Sequence, residues 1–293
     1  MSEIERDDIT GTTTTGHEWD GIKELNTPLP RWWLWTFYGT IIWALVYSIA
    51  YPTWPLINSA TSGLLGYSSR AEVAQDIAGA AAAQSEWRDR IKTNDLNQIS
   101  QDPKLFEFAR AGGAAAFKVN CLQCHGSGAA GGKGYPNLND DDWLWGGTYE
   151  EIHKTLKNGV RFASDAETRI SQMPAFGDGM LNPDEINSTA EFLLALSGQP
   201  HDAGAAAKGE PLYAANCVAC HGNRGQGLRE VGGARLNDAI WLYGGDKTSI
   251  MAQIAKPRQG VMPAWGSRLD DVTLKELAIY VYSLGGGETL QPQ

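Results

Sequence analysis

Hydrophobic and polar positions divide the chain into three stretches of different texture. Residues 1–31 are polar, with seven acids against three basic residues. Residues 32–51, WWLWTFYGTIIWALVYSIAY, run for twenty positions without a charge. A helix of that length covers ~30 Å, the thickness of a bilayer's hydrocarbon core, so the pattern predicts a transmembrane helix. Trp32, Trp33 and Trp35 at one end and Tyr47, Tyr51 and Trp54 at the other form the two aromatic belts that headgroups favour. Pro28 and Pro30 precede the run and Pro52 and Pro55 follow it, so both ends have stops. The run is longer than the 7–15 apolar residues, roughly, of a signal peptide, and its leading segment is too acidic for one. Lys23 and Arg31 flank its N-terminal side and the next basic residue is Arg70, which predicts residues 1–31 as a cytoplasmic tail and 32–54 as the anchor. Everything after the anchor is then outside the cytoplasm. Residues 55–103 read as a linker, Ala-rich from Ala71 to Ala83 and charged to Lys92, with a weakly striped helix. The remainder alternates helical periodicity with Gly-rich loops.

That remainder repeats itself. NCLQCHG (120–126) returns as NCVACHG (216–222), LNDDDWLWGG (138–147) as LNDAIWLYGG (236–245), MPAFG (173–177) as MPAWG (262–266), and AEFLLALSG (190–198) as AIYVYSLGG (278–286). The blocks recur in one order, with offsets of 96, 98, 89 and 88, as in a tandem duplication. The repeats place one unit at 104–198 and a second at 199–293. Gly113 and Phe117 match Gly209 and Tyr213. Each pair precedes its first Cys by the same distance, where a glycine lets two helices cross and an aromatic fills the contact. Leu181, Asn182, Pro183 and Asp184 read as a capped helix start, with Phe192 and Leu196 on one face and Tyr280 and Leu284 as their counterparts.

Each Cys-x-x-Cys is followed directly by His, the attachment signature of c-type haem. Two thiols at that spacing reach the two vinyl groups on one porphyrin edge, and the next residue presents its imidazole to the iron. Cys121, Cys124, Cys217 and Cys220 are therefore candidate thioether anchors for two covalent haem c groups, and His125 and His221 candidate proximal ligands. Four cysteines could also hold one zinc, or form redox dithiols, but neither chemistry requires a His after both pairs. Met173 and Met262, in equivalent Met-Pro-Ala-aromatic-Gly blocks downstream, are the candidate sixth ligands. Met180 has no counterpart in the second copy, and a thioether ligand would favour ferrous iron. Trp143, Trp145, Trp241 and Tyr243 are expected near the haem edge, where plain core packing is the default role and an indole N–H could instead reach a propionate; Arg161 and Arg258 are weaker propionate candidates, surface arginine being the default. His153 and His201 read as surface residues.

These motifs resemble class I cytochrome c domains, and the chain from residue 20 to 286 is similar to the di-haem subunit III (CcoP/FixP) family of cbb3-type cytochrome c oxidases. The juxtamembrane segment Asp20-Gly21-Ile22 with Asn26-Thr27-Pro28-Leu29-Pro30-Arg31-Trp32-Trp33 carries that resemblance most specifically. It implies an all-α fold of one N-terminal transmembrane helix and two tandem cytochrome c domains, in a bacterial plasma membrane with the haem domains in the periplasm. The implied role is to relay electrons from a donor cytochrome c to a mono-haem subunit and on to a separate haem–copper subunit that reduces oxygen. An anchored di-haem shuttle and a cytochrome subunit of a periplasmic dehydrogenase are the alternatives.

The 293 residues (31.7 kDa) carry a formal charge of −10 and a pI near 5.0, against nucleic acid as a partner. Residues 101–198 hold thirteen acids and eight basic residues, and 199–293 nine of each. Asp140, Asp141 and Asp142 cluster in the first copy only, so a basic donor is expected to dock on the first domain.

Overall fold

In the computed structural model residues 4–288 are described, and the chain divides into two compact units, one up to Ala83 and one from Gln84. The first opens with an antiparallel hairpin, β1 (Thr14–Trp19) paired with β2 (Ile22–Leu25). The sequence reading assigned no element there. The Thr run supplies β-branched residues, and Asp20 (φ 51°) and Gly21 (φ 86°) make the Asp-Gly turn whose left-handed pair matches strand twist. Helix α1 (Arg31–Ala50) follows Pro30, and none of its residues is buried. Its hydropathy and length qualify it to cross a membrane. The hydroxyls of Thr36, Thr40 and Ser48 bond back to the helix carbonyls of Trp32, Phe37 and Leu45, which satisfies its few polar side chains internally. The backbone N–H groups of Leu64 and Leu65 bond to the carbonyls of Ile49 and Ala50, closing the helix end.

Helix α2 (Ser69–Thr93) is exposed along its first part, but Ile91 at its end is fully buried. In the second unit come α3 (Leu96–Gln101), α4 (Pro103–Asn120), α5 (Leu122–His125), α6 (Tyr149–Asn158), α7 (Pro183–Leu196), α8 (Ala203–Asn216), α9 (Val218–His221), α10 (Lys247–Ala255) and α11 (Asp271–Tyr282). Starts are written locally. Asp102 caps α4 with proline in its first turn, and Asn182 and Glu185 form the capping box of α7.

The packing of these helices departs from sequence order. The expected units 104–198 and 199–293 do not close on themselves; they exchange C-terminal helices. Core one joins Leu105, Phe117 and Ile152 of the first copy to Leu274, Leu277 and Ile279 of α11. Core two joins Ile186, Ala190 and Leu193 of α7 to Tyr213, Ile250 and Ile254 of the second copy. The aromatic pairs follow: Phe117 meets Tyr280 at 5.3 Å between centroids, and Phe192 meets Tyr213 at 5.2 Å. The backbone repeats the exchange symmetrically. The Phe176 and Gly177 N–H groups bond to the carbonyls of Ile254 and Ala255, while those of Trp265 and Gly266 bond to Leu156 and Lys157.

The linker expectation also changes from Gln84 onward. Ile91, Leu96 and Ile99 are buried in core one, and Trp87 stacks on Phe108 at 5.6 Å. Lys275 Nζ donates to the carbonyls of Ile91, Lys92 and Asn94, capping the end of α2 from α11. His153, expected at the surface, instead lies 3.2 Å from Asp271 across the α6–α11 contact.

Glu276 on α11 is only 3% exposed, with Arg88 Nη1 3.4 Å from its carboxylate. Burial outweighs that partner and pushes its pKa up to about 7. The folded carboxyl therefore holds a proton that the unfolded one releases near its ordinary value. Its contribution is present at low pH and is lost as pH rises through about 7. By linkage the loss is at most roughly 3 kcal/mol. Glu276→Gln is expected to flatten the difference in stability between pH 5 and 7, read by denaturant melts of both proteins. An unchanged slope refutes the assignment.

Candidate functional site

Both Cys-x-x-Cys-His motifs sit at the same local turn. The long helix ends at the first cysteine, whose N–H bonds to the carbonyl of Phe117 or Tyr213, and a four-residue helix carries the second cysteine and the histidine. Gly126 (φ 79°) and Gly222 (φ 77°) then turn the chain in the left-handed region that only glycine enters cheaply. Cys121 is buried and Cys217 half-buried, and burial pushes each thiol up to about 11; Cys124 and Cys220 are exposed. Among the described residues no three His, Cys, Asp or Glu side chains converge to hold a metal ion, so the four cysteines do not form one zinc tetrahedron.

Each histidine is held in one tautomer. His125 Nδ1 lies 3.1 Å from the Pro136 carbonyl and His221 Nδ1 2.7 Å from that of Ala234. A carbonyl only accepts, so Nδ1 carries the proton in each and Nε2 keeps a free lone pair, as a metal ligand's must. Desolvation lowers both imidazole pKa values and keeps the rings neutral. Tyr213, buried, donates its hydroxyl to the Gly222 carbonyl at 2.6 Å and steadies the turn after His221.

The helix exchange carries the methionine blocks with it. Met262 packs against core one, the cluster that includes Phe117 and Cys121, and Met173 packs against core two, as Cys217 also does. Met262 pairs with Val160 through both backbone N–H groups, at 2.9 and 3.0 Å. The Met173 carbonyl accepts from Gln259 Nε2 at 2.9 Å. Met180 stands outside both cores, 52% exposed. The structure thus brings His125 to the half that holds Met262, and His221 to the half that holds Met173.

The aromatic residues divide. Trp143 Nε1 donates to the Gly286 carbonyl at 2.5 Å, and the Tyr243 hydroxyl accepts from the Gly260 N–H at 3.0 Å. The buried indole N–H groups of Trp145 and Trp241 have no partner among the described residues. Orphaned buried donors cost about 1–3 kcal/mol each, and the carboxylates of a haem are acceptors of the kind they lack. Donor set and orphaned donors together fit haem c. Arg258 is exposed, whereas Arg161 is half-buried and tied to protein groups. Sequence reading missed Gln259, the Tyr213 hydroxyl and Glu288, which exchanges backbone and side-chain bonds with Gly147; nothing in their local sequence marks them.

Exchange also redistributes charge. Residues 84–170 with 262–288 carry sixteen acids and thirteen basic residues, and 171–261 carry nine and seven. The contrast between two sequence-ordered domains therefore all but vanishes. Asp142 is half-buried, and burial with the nearby Asp238 pushes its pKa up to about 6. Net charge alone therefore no longer favours the first copy over the second for donor docking.

Comparison with known proteins gives the family. The family model described as the N-terminal domain of cytochrome oxidase-cbb3, FixP, matches residues 11–58, and that of cytochrome c oxidase, cbb3-type, subunit III matches 109–193 and 204–281. The cbb3-type cytochrome c oxidase subunit FixP of Sinorhizobium medicae is 54% identical over 96% of this chain and 97% of its own length. The subunit CcoP of Cereibacter sphaeroides is 54% identical over 94% and 95%, and FixP of Bradyrhizobium diazoefficiens 53% over 97% and 98%. With both family models matched in chain order and relatives this similar over nearly the whole length, the chain belongs to the FixP/CcoP family, subunit III of cbb3-type cytochrome c oxidases.

Proposed function

We propose that the chain carries two covalent haem c groups. One is held by Cys121 and Cys124 between His125 and Met262, the other by Cys217 and Cys220 between His221 and Met173. As a cbb3 oxidase subunit it relays electrons from a donor cytochrome c to the mono-haem subunit and the haem–copper subunit, where oxygen is reduced. Haem c supplies an iron that changes by one electron, and a thioether opposite an imidazole stabilises its reduced form. The protein's part is to hold each histidine in one tautomer, to seat each methionine against the opposite repeat's core, and to offer buried indole donors at Trp145 and Trp241. What supports the reading is that each histidine is tied to a backbone carbonyl, and that one methionine packs against each core. Residues 1–31 lie on the cytoplasmic side of the bacterial plasma membrane and the haem cores in the periplasm, supported by Lys23 and Arg31 flanking the span and by haem c attachment outside the cytoplasm.

The test is composition and turnover of the protein purified from its native membrane in mild detergent. Co-purifying haem b and copper, two haem c per chain, and oxygen consumption with a reduced cytochrome donor are expected. Two haem c per chain with no partner and no oxygen uptake would make it an anchored shuttle instead.

A further inference from the structure

The two exchanged segments cross at one place, and Arg161 occupies it. Its Nε donates to the Gly260 carbonyl at 2.7 Å, and its Nη1 to the Ser171 hydroxyl at 2.9 Å. Gly260 is two residues before Met262, and Ser171 two residues before Met173. One guanidinium therefore grips both methionine segments just upstream of the sulfur-bearing residues. The backbone beside it is tied as well: Val160 pairs with Met262 in both directions, and the Arg161 N–H bonds to the Arg169 carbonyl at 2.8 Å. Gln259, next to Gly260, reaches the Met173 carbonyl and closes the crossing from the other segment. Arg161 holds φ at 54°, a conformation that costs a side-chain-bearing residue about 1–2 kcal/mol and persists only where the surroundings impose it. A planar fork with several fixed donors suits such a double grip; a lysine ammonium does not.

We propose that Arg161 is a positioning residue for both axial methionines, fixing the Met262 segment through Gly260 and the Met173 segment through Ser171. The inference rests on the reading that these methionines ligate the two haem irons. It makes one side chain responsible for ligation at both haems, so a single substitution disturbs two centres together.

The test uses the far-red methionine-to-iron charge-transfer band of the oxidised full chain, normalised to haem c content, with a redox titration alongside. Each haem contributes half of the band, so a band below half of the wild-type intensity requires both haems to be affected. Arg161→Gln is expected to fall below half and to move both redox steps. Ser171→Ala, which frees one segment, is expected to keep half or more and to move one step. Arg258→Gln, an exposed loss of charge nearby, is expected to change neither. Arg161→Gln with half or more of the band, or with one step unmoved, overturns the inference. Should that variant not mature, Arg161→Lys keeps the charge and reaches only one acceptor; it is expected to lower the band and shift at least one step, and a wild-type band overturns the inference. A wild-type chain with two haem c and no far-red band would instead remove the methionine ligation on which it rests.

Discussion

Met262→Ala is expected to strip the methionine ligand from the haem attached at Cys121 and Cys124, and to leave the haem on Cys217 and Cys220 six-coordinate. The two attachment sites are separated by removing one. In a chain carrying Cys217→Ser and Cys220→Ser, the remaining haem should keep its far-red band when Met173 is replaced by alanine and lose it when Met262 is. The reduced Met262→Ala haem should then bind carbon monoxide, because its sixth position is open. Its potential should drop by a sizeable share of the about 0.8 V that axial ligands control. The opposite dependence, band lost with Met173 and kept with Met262, would mean that the halves close in sequence order.

The exchange explains why this result is not the one that the repeat itself suggests. Each core needs the same parts: a glycine on the haem-attachment helix, an aromatic one turn on, and an aromatic on the closing helix. Gly113 and Phe117 with Tyr280 satisfy that need, and so do Gly209 and Tyr213 with Phe192. The contact chemistry of the two possible pairings is nearly identical, so the free-energy difference between them lies elsewhere. The closing helices do differ in the polar side chains they carry. Glu276 on α11 meets Arg88 from α2, and Lys275 caps α2. Glu191 on α7 meets Lys247 of α10 at 2.6 Å and accepts from the Asp202 N–H at 2.8 Å. Position 188, the counterpart of Glu276, is serine, so swapping the helices back would leave Arg88 without its buried partner.

Much of this was legible in the chain and some was not, for physical reasons. The apolar run 32–51 matches α1 to within one residue at each end, because a long uncharged stretch bounded by prolines leaves one helix as its simplest conformation. The Asn182–Glu185 box and the Cys-x-x-Cys-His turns are local, and local signals survive translation into structure. The hairpin's Asp20-Gly21 turn was equally local, and was passed over because the Thr run carries no periodicity. Which copy of a duplicated helix closes which core is not local at all. It depends on residues 162–172 and 256–261, which cross at Arg161, and on two buried glutamates that an apolar reading of α7 and α11 overlooks.

Glycine-to-alanine substitutions on three helices offer the sharpest energetic reading of the helix crossings, because intrinsic propensity predicts the same sign for all. Alanine favours a helix over glycine by about 1 kcal/mol. At Gly79 in α2 a Cβ meets nothing within 4 Å, so Gly79→Ala is expected to stabilise its helix by about that amount. At Gly112 a Cβ would lie 2.8 Å from the Glu276 carboxyl carbon, the movable end of a side chain, and the gain should be cancelled or reversed. At Gly113 it would lie 2.1 Å from the Glu276 backbone oxygen, and at Gly209 2.0 Å from that of Ser188. Backbone cannot step aside inside a packed helix crossing, so each helix must retreat from the other and open the core. That puts Gly113→Ala and Gly209→Ala among the rare substitutions that cost more than about 4 kcal/mol, a large part of a typical domain's stability. Denaturant melts of the haem-loaded chain would rank the four variants. A mild effect at Gly113 would mean that no helix crosses there as closely as α11 does in this structure.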